Sequence, residues 1–71
     1  MKLTLLDVVI LTQNLPEHHL LQGSIGTLVE IVNEGVVLVE FADKYGVAYG
    51  MVDLPSSLLM KVVRKPMTET A

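Results

Sequence analysis

Leu21-Gln22-Gly23-Ser24-Ile25-Gly26-Thr27-Leu28-Val29-Glu30-Ile31-Val32 is the stretch whose reading decides the fold. Two glycines three apart lead into an alternating run rich in β-branched residues, and a second such run, Val36 to Phe41, follows the short turn Asn33-Glu34-Gly35. Glycine accepts positive φ or the close approach of another backbone, and strongly bent strands need both. Gly35 suits the left-handed position of a tight hairpin. A coiled β-hairpin at the centre of a small barrel is the expectation.

Outward from that hairpin the chain supplies three more strands. Asp7 to Thr12 reads as a strand apolar on both faces, hence central or covered on both sides. Thr12 to His19 is polar around Pro16, which lacks an N–H and biases Leu15 towards extended geometry; it reads as a loop, with Leu15, Leu20 and Leu21 free to pin it to the barrel mouth. In the second strand, alternation puts Ile25, Val29 and Ile31 on one face and Leu28, Glu30 and Val32 on the other. In the third, Val37, Val39 and the chain's one phenylalanine, Phe41, take the core face, which leaves Val36 and Leu38 outward beside Glu40.

Asp43-Lys44-Tyr45-Gly46 forms a second turn, and Val47 to Leu54 a fourth strand that Gly50 should bend or bulge. Leu54-Pro55-Ser56-Ser57-Leu58-Leu59 is too short for an ordinary helix. Pro55 at a first helical position followed by serines suits one 3₁₀ turn plugging the barrel end. Met60 to Val63 is the closing strand. The fold class is all-β: a small five-stranded SH3-like barrel with a 3₁₀ turn before its last strand, occupying residues 1–64, with 65–71 a flexible tail.

Composition narrows function by exclusion. At 71 residues, one domain of this size hides only about 60% of its unfolded surface, yet 51% of the residues are apolar. The surplus sits in β-runs and must line up on a sheet face, which predicts an apolar contact patch. Net charge is −3, and the five bases form no cluster able to release counterions from a duplex, so nucleic acid is disfavoured. Without cysteine there is neither a disulfide nor a thiolate metal site. The apolar run Leu3 to Leu11 is broken by Asp7, is about half a membrane span and precedes no cleavage site, so a cytoplasmic, non-membrane protein is expected.

Segments Gly23-Ser24-Ile25-Gly26-Thr27-Leu28-Val29-Glu30 and Val39-Glu40-Phe41 resemble the hairpin of KOW-type SH3-like barrels. Adding Leu6-Asp7-Val8-Val9, Leu15-Pro16-Glu17-His18 and Leu54-Pro55, the pattern resembles a family of small stand-alone bacterial proteins, domain of unknown function 4926, over residues 3 to 63. That resemblance implies a small β-barrel without an established activity, and a toxin–antitoxin or immunity-like pairing with a neighbouring small protein. KOW barrels touch ribosomal RNA through basic residues, whereas this hairpin carries Glu30, Glu34 and Glu40 and no lysine or arginine.

The candidate chemical sites are thin. His18 and His19 are adjacent, so on an extended segment they point apart, and a metal wants a third and fourth ligand. Ser56 and Ser57 lack a nucleophile-elbow setting and suit capping instead. Glu30 and Glu40 lie on adjacent strands and can face each other across the hairpin, as an acid–base pair or as solubilising charges. Gly23-x-x-Gly26 lacks the lysine and helix of a phosphate loop. Val47, Tyr49 and Met51 share a strand face by period two, either as core or as contact surface, with Tyr45 nearby.

The expectation is therefore a non-enzymatic interaction module without cofactor or small-molecule substrate. It binds itself or a protein partner through Val36, Leu38, Val47, Tyr49 and Met51. A KOW-like nucleic-acid or ribosome-associated protein is the alternative.

Overall fold

A computed structural model describes residues 3–43 and 45–63, with the backbone alone at Tyr49. Five strands form one antiparallel sheet: β1 (Val8–Leu11), β2 (Ile25–Asn33), β3 (Val36–Ala42), β4 (Ala48–Pro55) and β5 (Leu59–Lys61). Their order is β4-β3-β2-β1-β5. The first and last strands are thus neighbours, and the 3₁₀ turn Ser56–Leu58 carries the chain from one edge of the sheet to the other. The predicted flexible tail, residues 65–71, lies outside the described residues.

One core joins all five strands. Val9 and Leu11 of β1, Leu28 of β2, Val37, Val39 and Phe41 of β3, Leu54 of β4 and Leu59 of β5 are buried together. Leu54 and Leu59 stand on the two edge strands, so a shared core requires the sheet to curl on itself. The β3 face predicted to point inward does so. Burying each such side chain stabilises the fold by about 1.5–3 kcal/mol.

The two glycines of the Gly23-Ser24-Ile25-Gly26 corner divide the work. Gly23 holds φ at +93°, where a side chain is strained. Gly26 pairs with both Val9 and Phe41. A β-carbon there would lie 2.5 Å from Cγ1 of Val39 and 3.0 Å from Cδ1 of Phe41. The missing side chain is what lets β3 close over β2. Gly35 turns the β2–β3 hairpin at φ +87° as its sequence suggested.

Strict alternation fails in β2. Leu28 pairs with Val39, but Glu30 pairs with Leu38, so Val29 is an extra residue, and a second shift falls between Ile31 and Asn33. Each bulge exchanges the faces of everything beyond it. Leu28 and Glu30, expected on one face, therefore separate: Leu28 is buried and Glu30 exposed. Ile25 and Ile31 separate likewise, Ile25 joining the outer ladder and Ile31 standing opposite core residue Val37. The bulge spares the fold a carboxylate beside Leu28, a burial that would be costly without a partner. Gly50 marks a third irregularity: Phe41 pairs with Gly50 and Ala42 with Ala48, leaving Tyr49 as the additional residue.

The β1–β2 connection is more structured than a polar loop. It contains a 3₁₀ turn at Pro16–His18, and Leu15 and Leu20 exchange backbone hydrogen bonds of 2.8 and 3.1 Å. Both leucines are buried, whereas Leu21 is 70% exposed and does not help to pin the loop. The reason is the turn ending at Ser24, whose N–H and hydroxyl both donate to the Leu21 carbonyl and hold that residue at the loop surface.

At the other end, the Ser56 N–H donates to the Gly35 carbonyl, and Thr12 donates through N–H and hydroxyl to the Leu58 carbonyl. The second 3₁₀ turn is thereby tied to the hairpin tip and to the end of β1. Pro55 is its N-cap residue and not its first helical residue, and no serine hydroxyl caps it. Backbone bonds to Gly35 and Thr12 hold the turn in place of the expected serine cap.

Candidate interaction surface

Across the outside of the sheet, directly opposed residues form rows. One row runs Met60, Ile10, Ile25 from β5 through β1 to β2. The next runs Val8, Thr27, Glu40, Met51 from β1 through β4. Facing residues in such ladders share a side of the sheet. Their inward neighbours Val9 and Leu11 fill the core, so period two sends Val8 and Ile10 outward. Ile25 is 56% exposed, Met60 51% and Val8 43%, with Ile10 half-buried between them. These apolar side chains are ladder neighbours on the outer side of the sheet, with Ile25, Met60 and Val8 exposed.

The residues singled out from the sequence lie beyond this patch on the same side or at its margin. Val36 and Leu38 of β3 are half-buried, and Leu38 stands between Glu30 and Asp53 on the flanking strands. Met51 is exposed opposite Glu40. Val47 is exposed just ahead of β4, and the side chain of Tyr49 lies outside the described residues. The bulge at Tyr49 removes the simple period that had joined Val47, Tyr49 and Met51. Ile10, Ile25 and Met60 were not singled out, although the two-sided apolar character of β1 was the signal for them.

Glu30 and Glu40 do not oppose each other: Glu30 stands across from Leu38 and Glu40 across from Thr27. The register ahead of the bulge, with Leu28 opposite Val39, already carries Glu30 past Glu40, and the two partners end up two residues apart along β3. His18 and His19 are exposed, and His19 adopts left-handed geometry at the end of the first 3₁₀ turn. Among the described residues no group of three histidine, aspartate or glutamate side chains is placed to hold a metal.

Two carboxylates organise the sheet's margins. Asp43 accepts the N–H groups of Tyr45 and Val47 at 2.8 and 3.0 Å, fixing the β3–β4 turn, while the Gly46 N–H donates to the Asp43 carbonyl. Asp7 accepts the Thr4 N–H at 2.7 Å and lies 3.5 Å from the Lys61 ammonium. The Thr4 bond first, and Lys61 after it, hold the Asp7 carboxyl below its ordinary pKa of 3.8, against some opposing desolvation.

Between β1, β2 and the end of β3 the outer face dips into an open groove of about 450 Å³. Val8, Ile25, the backbone of Gly26, Thr27 and Ala42 line it, together with the carboxylate-bearing Glu40 and Asp43. No helix among the described residues is long and apolar enough to cross a membrane.

Strand order, bulged hairpin and the 3₁₀ turn before the last strand define a small all-β domain of five antiparallel strands, with apolar residues on its outer face. A family model described as Domain of unknown function (DUF4926) matches residues 5–61, and the chain belongs to that family. No curated protein matches the chain, and no solved structure does.

Proposed function

We propose that this protein is a non-enzymatic interaction module whose outer sheet face binds a second copy or a protein partner. The observation that carries this reading is the row Met60–Ile10–Ile25 with Val8 beside it, apolar on the outside of the sheet, with Met60, Ile25 and Val8 exposed. Contiguous exposed apolar surface on a small domain marks contact more often than chance. Val36, Leu38 and Met51 extend the surface over β3 and β4, with Val47 just ahead of β4 at its rim. Binding through this face requires no cofactor or small-molecule substrate. The family resemblance extends the proposal to a cytoplasmic partner encoded next to it, as in a toxin–antitoxin or immunity-like pair.

Sedimentation at micromolar concentration, with binding of an apolar dye and co-purification with the neighbouring gene's product, tests it. The double variant Val8→Asp, Ile25→Asp should abolish association and dye binding while the core, which contains neither residue, stays folded. A parent chain that is monomeric, binds no dye and retains no partner overturns the reading. The nucleic-acid alternative finds no support in the β2–β3 hairpin, where Glu30, Glu34 and Glu40 stand without a base.

A further inference from the structure

The groove on the outer face combines two features that an ordinary solvated surface lacks. Apolar side chains of Val8, Ile25 and Ala42 line it. Glu40 also lines it, half-buried, and its carboxylate makes no hydrogen bond or ion pair with any described residue. Lys61 is the one lysine or arginine among the described residues, and it is engaged with Asp7. Asp43 adds a second negative charge to the lining, with one carboxylate oxygen already committed to its own turn.

An aliphatic stem ending in a cation satisfies both features at once. Lysine and arginine bury their methylene stems against apolar surface and keep the charged head towards an anion. Charge complementarity then selects among partners, since an acidic segment would meet Glu40 and Asp43 with like charge. We propose that the groove receives a lysine or arginine side chain of a partner polypeptide, its stem over Val8 and Ile25 and its charged head at Glu40. This inference rests on the reading of the outer face as an interaction surface, and it names the chemistry of the partner.

The test titrates the full-length, isotopically labelled chain with a capped Val-Lys-Val-Lys-Val peptide, and with the same peptide acetylated on every lysine. The lysine peptide should shift the backbone amide resonances of Gly26, Thr27 and Ala42. Its affinity should fall about fivefold in Glu40→Gln and fall further as salt is raised, as expected of a partly screened charge contact. A Glu17→Gln variant, altered in the β1–β2 loop at an exposed residue that does not line the groove, should bind like the parent. The proposal is overturned if Glu40→Gln binds as tightly as the parent, or if the shifts scatter over Glu17 and Glu34. If the acetylated peptide binds the outer face equally well, the cationic partner is excluded while the interaction surface stands. If those amides shift with protein concentration alone, the groove belongs to a second copy and the proposal again falls. Silence from both peptides, in a chain that is monomeric and binds no dye, removes both readings.

Discussion

Gly26 stands directly opposite Phe41 in the β2–β3 ladder, and the volume a side chain would need at position 26 is filled by Phe41 and Val39. Gly26→Ala therefore has to move either the Val39 methyl or the strand itself, because the Glu40 carbonyl oxygen is also 3.0 Å from the new carbon. Overpacking of this kind costs about 2 kcal/mol. Urea denaturation should show that loss. Gly50→Ala is the control: nothing lies within 4 Å of its β-carbon position, and the change should be neutral or slightly stabilising.

Leu15 and Leu20 clasp the β1–β2 connection to the core, and Leu21 does not. Leu20→Ala should cost about 2–4 kcal/mol, as for other large-to-small core changes. Leu21→Ala should stay within about 0.5 kcal/mol, as at ordinary surface positions. Comparable losses at both positions would show that the loop packs differently.

Among the described residues, two that bear side chains hold left-handed backbone, Leu6 at φ 70° and His19 at φ 58°. The β-carbon strain there is relieved by glycine, partly offset by the looser unfolded chain. Leu6→Gly and His19→Gly should each raise stability by about 0.5 kcal/mol, read as an upward shift in Tm. A fall in Tm at position 6 would mean that the exposed leucine side chain contributes packing.

Asp7 supplies the pH dependence. Its folded pKa lies below 3.8, so the folded state favours the carboxylate and the stabilisation is fully present at neutral pH. It is lost as pH falls below 3.8 and through the lowered folded value. Asp7→Asn should thus be less stable than the parent at neutral pH, with the gap closing on acidification. Lys61→Ala should have the smaller effect, because the Thr4 N–H bond is the principal cause.

The β2–β3 hairpin, the inward face of β3, the Gly35 turn and the 3₁₀ turn before β5 were all legible, because each depends on residues within a few positions of one another. Glycine at a turn, and valine alternating with phenylalanine, state their geometry locally. The bulge at Val29 was not legible. Nothing in Leu28-Val29-Glu30 alone marks an extra residue; it arises because β3 must offer Val39 to Leu28 and Leu38 to Glu30. The same holds for the outer row. Ile10, Ile25 and Met60 are far apart in the chain, and only strand order makes them neighbours.

The amino-acid sequence by itself determined that this is a small all-β protein, bent at its glycines and carrying more apolar residues than one such interior accommodates. It also determined the acidity of the hairpin, since charge is additive and needs no coordinates. Tertiary structure decided where that surplus and that acidity come to rest. Pairing β1 with both β2 and β5 brings Ile10, Ile25 and Met60 side by side on the outer face, and the β2 bulge turns Glu30 away from the core. Glu40 is left beside apolar neighbours because register is fixed by contacts between strands that no single strand encodes.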